Sequence, residues 1–279
     1  MIIQTLEQTD ADQILFVFNQ SFSDYLLPLN LTKDQFAMKL KSENILMNIS
    51  VGVFEGSQLI ALMLHGYTDQ DGIKSIYNAG TGVIPSKRGK KIATQMFQYI
   101  IPILKKMNIH MIQLEVLTQN TSAIKLYKNV GFDITRQLYC YRGKIADFAK
   151  PVVYKINNLP ELKWEYLKSL WSWNPTWQNG IQTIEKLLNS CTGICIYDNN
   201  ILAGYLLYNL NINRVLQFAV HKNHQHKGIG QHLWQYLGKQ NNNEWSVINV
   251  DSKASQAKKF LVAQGLKIYI KQFEMQLNL

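Results

Sequence analysis

Two loops in this chain place Gly, Lys and Arg or Gln between an apolar strand-like run and an amphipathic helical pattern. The first is Lys87-Arg88-Gly89-Lys90-Lys91, set between Val83 and Ile92; the second is Gln225-His226-Lys227-Gly228, between Val220 and Ile229. A turn from strand into helix leaves the first backbone N–H groups of the helix without internal partners and gathers them at one point. Together with the positive end of the helix dipole they form a cradle for phosphate groups. Glycine serves there because it allows close backbone approach and positive φ. The second loop meets this need with Gly228 and Gly230, and Lys227 adds charge. In the first, Lys91 stands where that Gly is wanted. Non-Gly residues rarely take positive φ, so either this loop adopts another shape or Lys91 tolerates the strained one. A plain strand–helix connection is the competing reading of each loop.

Each loop is followed by a second matched stretch. After the first comes N-T-S-A-I-K-L-Y-K-N-V-G-F, from Asn120 to Phe132; after the second comes A-S-Q-A-K-K-F-L-V-A-Q-G-L, from Ala254 to Leu266. The spacing implies an internal duplication on the scale of a domain, too long for a solenoid repeat. The paired motifs resemble those of the GNAT superfamily of acyl-CoA-dependent N-acetyltransferases. That family carries a loop of the form Q/R-x-x-G-x-G/A and, later, N-x-x-A-x-x-L-Y-x-x-x-G-F. Gln225, Gly228 and Gly230 match the loop in the second copy, and Arg88 and Ala93 match it in the first. Asn120, Ala123, Leu126, Tyr127, Gly131 and Phe132 complete the later motif in the first copy, whereas Ala254 and Leu261 replace its Asn and Tyr in the second.

The resemblance implies an α/β (α+β type) fold in two tandem GNAT-like domains, each a mixed, mostly antiparallel sheet flanked by helices. They would span residues 1–150, the catalytic one, and 151–279, shorter and degenerate in catalysis. It further implies acetyl-CoA or CoA as cosubstrate, with no metal. In the first copy, Val83 and the strand edge before it would hold the acyl arm. Arg88, Gly89, Lys90, Lys91, Ile92, Ala93 and Thr94 would hold the phosphates, and Asn120 the cofactor arm. Val220, Gln225, Lys227, Gly228 and Gly230 would do the same in the second. Tyr127 matches a tyrosine that protonates the leaving thiolate. Glu115, facing the implied cleft by strand alternation, is a candidate general base, and an ordinary strand carboxylate is the competing reading. Asp24 and Tyr25 could meet an acceptor amine, with Asn78 as a positioning group, although the segment around Asp24 also reads as an Ω-loop.

Other elements must position these groups. Thr9-Asp10 marks a helix start, Thr32-Lys33-Asp34-Gln35 reads as a capping box, and Glu55-Gly56-Ser57 as a hairpin turn with Asp71-Gly72 as another. Apolar spacing predicts a helix over 89–107 with Ile92, Met96, Tyr99, Ile100, Ile103 and Leu104 on one face. A strand over 110–117, a helix over 121–129 and a strand over 132–141 follow. The pattern restarts near Lys150-Pro151, with helices over 159–171 and 181–188, a hairpin through Asp198-Asn199-Asn200, and strand–helix alternation to the end.

Composition bounds the function classes. The chain is 47% hydrophobic and 17% charged, which fits a globular fold. Its net charge of +10, spread over both halves, suits a polyanionic ligand such as CoA. Nucleic acid would be served as well, yet no zinc-finger, RNA-recognition or helix-turn-helix signature brings it forward. Cys140, Cys191 and Cys195 are too few for a disulfide framework and read as core residues. No apolar run is long enough to span a membrane and no leader opens the sequence, so a cytoplasmic protein without a membrane partner is expected. The reading is an N-acetyltransferase moving an acetyl group to an amine of a small molecule or peptide by direct attack. A non-catalytic acyl-CoA sensor or interaction protein is the alternative, a nucleic-acid-linked relative a third class, and the oligomeric state stays open.

Overall fold

A computed structural model describes residues 1–27, 29–70, 72–147 and 154–279. The chain folds as two compact units: Met1–Thr135 with Phe273–Leu279, and Arg136–Gln272. Lys150-Pro151, where the pattern restarts in the sequence, and Asp71 of the expected Asp71-Gly72 turn lie outside the described residues.

In the first unit, strand β1 (Ile2–Thr5) runs antiparallel to β2 (Val51–Glu55), which turns at Gly56, φ 61°, into β3 (Gln58–Gln70). Helix α1 (Ala11–Phe22) begins where Asp10 accepts from the backbone N–H groups of Asp12 and Gln13, at 2.9 and 3.1 Å. Its apolar stripe, Ile14, Leu15, Val17 and Phe18, is buried. Helix α2 (Lys33–Ser42) carries the expected capping box between Thr32 and Gln35. Strand β4 (Ile73–Val83) then pairs with β3 along its length, with a register shift opposite Leu64 and His65.

Helix α3 (Ile92–Lys106) follows, burying Ile92, Met96, Phe97, Ile100 and Leu104. Tyr99 and Ile103 of the expected face are only half-buried, and Phe97 takes the inward place. After it come β5 (Met111–Leu117), α4 (Thr121–Val130) and the start of β6 (Asp133–Gly143). Strand β5 is parallel to β4, in register from Ser75↔Met111 to Tyr77↔Gln113. Beyond Tyr77, β4 follows β3 alone, pairing Thr81 with Met63 and Val83 with Ala61.

The second unit repeats this plan. Strand β7 (Asn157–Asn158), helices α5 (Trp164–Ser169) and α6 (Ile181–Leu187), and strands β8 (Thr192–Asp198), β9 (Ile201–Asn209) and β10 (Arg214–Val220) come first. Then follow α7 (Ile229–Gly238), β11 (Trp245–Asp251), α8 (Ser255–Ala263) and β12 (Lys267–Asn278). The helix expected over 159–171 is cut to α5 because Asn157 and Asn158 pair with β8 and the Leu159 N–H bonds the Gly193 carbonyl at 2.9 Å. Here too the parallel pair is short: β10 meets β11 at Arg214↔Ser246 and Val215↔Val247.

The two long strands trade ends. Strand β6 starts in the first unit, but from Arg136 it belongs to the second, where Tyr141 pairs with Val247 of β11. Strand β12 starts in the second unit and ends in the first, beside β5, where the Leu279 N–H bonds the His110 carbonyl at 2.9 Å. Cys195 is buried and Cys191 partly so, and burial pushes both thiols up, Cys191 to about 11. Among the described residues no helix is long and apolar enough to cross a membrane.

Candidate active site

The first loop owes its shape to two left-handed residues. Gly89 has φ 81° and Lys91 φ 57°, so α3 begins at Ile92 instead of at Gly89. No side chain caps this helix start, leaving its first-turn N–H groups available to a ligand. Arg88 turns back on the loop: its Nε donates to the Val83 carbonyl at 3.0 Å. Its terminal nitrogens donate to both carboxylate oxygens of Asp24, at 2.7 and 2.8 Å, and to the Ser21 carbonyl at 3.0 Å. The Arg88 hydrogen bond holds the Asp24 carboxyl below its usual range. Asp24, expected to meet an amine, is thus occupied in tying the segment after α1 to the phosphate-type loop. Lys87 is paired with Glu55.

These groups border a cavity of about 510 Å³ whose wall includes Lys87, Arg88 and Lys91, the β4 edge at Thr81 to Val83, and Asn120 and Tyr127 of the α4 region. Gly89, Ile92, Ala93 and Thr94 also line it, and Lys90 does not. Asn120 caps α4, accepting from the Ala123 N–H at 3.1 Å, while its amide donates to the Tyr25 hydroxyl at 3.3 Å. Tyr25 lies on the cavity wall, its hydroxyl pKa raised by burial.

Tyr127 is 8% exposed, edge-on to Phe97 at 6.0 Å between ring centroids and 5.6 Å from Phe132. Burial pushes its hydroxyl pKa up to about 12, with Thr81, which lines the same cavity, opposing the rise. The phenol therefore keeps its proton at neutral pH. Thr81 is held in turn by Asn78, whose amide nitrogen donates to Oγ1 at 2.9 Å and whose Oδ1 accepts from Oγ1 at 3.1 Å and from the Gly80 N–H at 3.2 Å. In the sequence Thr81 stands out only as part of the strand edge before the loop; its side-chain tie to Asn78 is seen in the structure alone.

Glu115 lies elsewhere, outside the cavity wall. Its Oε2 accepts from the Tyr77 hydroxyl at 2.6 Å, at the point where β4 and β5 part. Tyr77 is 4% exposed, and burial and then the Glu115 charge push its phenol far up. The structure therefore groups Tyr127 with Thr81 and Asn78, and Glu115 with Tyr77.

In the second unit the loop has the same backbone with the residue types exchanged: His226 has φ 61° and Gly228 φ 84°. Gln225 does what Arg88 does, its Nε2 donating to the Val220 carbonyl at 3.3 Å. Gly230 faces Phe260 closely; a Cβ there would sit 3.1 Å from the ring. Lys227 is off the cavity wall, and its carbonyl accepts from the Tyr154 hydroxyl at 2.8 Å. Leu261, buried, stands where the first copy has Tyr127, and Ala254 offers no cap.

The gap between β10 and β11 is bridged. The Asn179 carbonyl accepts from Gln217 of β10 at 2.7 Å, and its side chain donates to the Ile248 carbonyl of β11 at 3.0 Å. Phe218, Trp173, Trp234 and Phe260 pack beside it with centroids 5.4 to 5.8 Å apart. The cavity left is about 360 Å³.

Comparison with protein families matches residues 20–132 to the acetyltransferase (GNAT) family and residues 177–268 to a GNAT acetyltransferase domain. Comparison with curated proteins gives no match. Among solved structures, the chain is similar to an N-acetyltransferase from Sphaerobacter thermophilus at 13% identity and TM-score 0.71, over 99% of this chain and 95% of that one. A tandem GNAT protein from the clavulanic acid biosynthesis pathway gives 12% identity and TM-score 0.71, over 99% and 98%. An N-acetyltransferase from Anabaena variabilis gives 14% and 0.61, over 99% and 72%. At these identities the likeness is one of fold.

Proposed function

The chain belongs to the GNAT acetyltransferase family, as two such domains in tandem, and from that premise we propose that the first unit moves an acetyl group from acetyl-CoA to an amine of a small molecule or peptide. One observation carries this reading. The uncapped start of α3, three basic side chains, the β4 edge left free by β5, and the protonated Tyr127 hydroxyl all border one cavity.

The residues present fit the cosubstrate. Lys87, Arg88 and Lys91 would offset the charge of its phosphates, and the first-turn N–H groups of α3 would bond the pyrophosphate. Backbone groups of residues 81–83 would hold the acyl arm as an added strand holds an edge. Acetyl-CoA supplies an activated thioester and a thiolate leaving group. Tyr127, oriented by Thr81, would give that thiolate its proton. Asn78 would act through Thr81, and Asn120 through the Tyr25 hydroxyl on the same wall. Asp24 enters by fixing Arg88. Glu115, where the two strands part, is the proposed acceptor of the amine proton through water, with Tyr77 orienting it. The amine would attack directly, with no acyl-enzyme.

A loop broken at Lys91, where the family pattern has Gly, would favour the sensor alternative. Lys91 takes the left-handed conformation, so the loop keeps its shape without that Gly, which supports the transfer reading. The test is thiol release from acetyl-CoA across a panel of amino acids, polyamines, aminoglycosides and peptide N-termini. Amine-dependent release supports transfer; tight CoA binding with release no faster than hydrolysis for every amine overturns it.

A further inference from the structure

The cavity of the second unit does not fit coenzyme A, although its loop has the backbone shape of the first. The first cavity has Lys87, Arg88 and Lys91 on its wall, Lys87 in an ion pair with Glu55 and Arg88 in one with Asp24, which also lines it. Among the described residues lining the second there is no Lys, Arg, Asp or Glu. A polyphosphate brought from water into such a cavity gives up hydration and meets the uncapped start of α7 but no cation in the described wall, which is costly. His224, which borders it, is 3.1 Å from the Asp198 carboxylate. His226 is the remaining titratable side chain on the wall.

What the wall does offer is aromatic and amide surface. Trp173, Phe218 and Phe260 form its apolar side, while Gln231, Gln256 and Gln264 contribute amide groups. Aromatic rings favour a flat or apolar body, and a primary amide both donates and accepts without charge. The volume of about 360 Å³ lies within the range of small-molecule sites, which combine mostly apolar walls with a few polar groups. We propose that this cavity is a binding site for an uncharged aromatic amide-type small molecule, and that it refuses CoA. The two units then share a loop geometry and differ in the charge of the ligand they accept.

The experiment uses the full chain. Calorimetry with CoA should give one site per chain. With CoA saturating, indole-3-acetamide should bind at one site per chain and at least tenfold more tightly than indole-3-acetate, which has the same ring and one negative charge. Gln256→Trp and Ala263→Phe, both at exposed positions of α8 on the cavity wall, should each weaken the amide at least tenfold; two are made so that one folded variant remains. Two CoA sites per chain, no amide binding at millimolar probe, equal binding of the carboxylate, or an amide affinity untouched in a folded variant each overturn the proposal. None of these outcomes bears on amine-dependent thiol release, so the acetyltransferase reading stands or falls separately.

Discussion

Lys91 and Gly228 hold the same position in two loops and the same left-handed backbone, at φ 57° and 84°. Two residues earlier the types are reversed, with Gly89 at 81° and His226 at 61°. Each loop thus has two left-handed residues, one of them Gly. The conformation persists where the residue type does not, because the turn from strand edge into helix start demands it.

This relationship predicts unequal costs. Gly228→Ala and Gly89→Ala place a Cβ in the left-handed region and should each lower stability by about 1–2 kcal/mol. Lys91→Gly removes such a strain while adding chain entropy to the unfolded state, so its stability should stay within about 1 kcal/mol of the parent. Denaturant midpoints measure all three. A Lys91→Gly loss larger than either Ala loss would mean that the Lys91 side chain holds the loop.

Tyr127→Phe should lower turnover by about 10²–10⁴-fold, with acetyl-CoA affinity little changed. Burial holds the Tyr127 pKa near 12, so the phenol stays protonated from neutral pH to well above 10. Any alkaline fall in rate below pH 10 must come from another group. Loss of that limb in Tyr127→Phe would show that Tyr127 itself titrates there and overturn its raised pKa; an unchanged rate with chemistry limiting would remove Tyr127 as the proton donor.

The Asp24–Arg88 pair has a definite pH sign. Asp24 has its pKa lowered from 3.8 in the folded chain, so its contribution is fully present above that value and is lost as pH falls through the lower folded one. Asp24→Asn should therefore differ from the parent in Tm at pH 6 and converge with it at the acid end. The same variant frees Arg88 and should raise the KM for acetyl-CoA several-fold more than it lowers kcat. A Tm gap that widens on acidification contradicts the assignment.

Asn179→Ala tests the bridge in the second unit. It leaves the Ile248 carbonyl of β11 without the side-chain donor it has at 3.0 Å, and the cost of an orphaned buried acceptor is about 1–3 kcal/mol. Chemical denaturation reads it directly. A loss below a few tenths of that range would show that water replaces the side chain and that the β10–β11 gap is open.

Local features were legible without coordinates. The Asp10 and Thr32 caps, the Gly56 turn, the strand–loop–helix pairs at Arg88 and Gln225, and the motif that ends at Phe132 each depend on residues within a few positions of one another. Periodicity and turn chemistry act at that range. The α3 face departs from the expected stripe at Phe97, which is buried, and at Tyr99 and Ile103, which are half-buried, because a helical stripe says which side is apolar but not how far a neighbouring element covers it.

By itself, then, the sequence determined the two tandem αβ units, their strand–loop–helix turns, and the asymmetry that leaves a tyrosine at position 127 and a leucine at 261. Only the tertiary structure decided that Arg88 closes on Asp24, 64 residues away, that Glu115 belongs to Tyr77, and that Asn179 spans the gap which β5 leaves free in the first unit. It also decided that β6 and β12 trade ends between the units. The physical reason is common to all four. A charged fork, a carboxylate, an amide and a strand edge each accept many partners of the right chemistry, and which one they meet is set by the packing of distant segments, on which local pattern is silent.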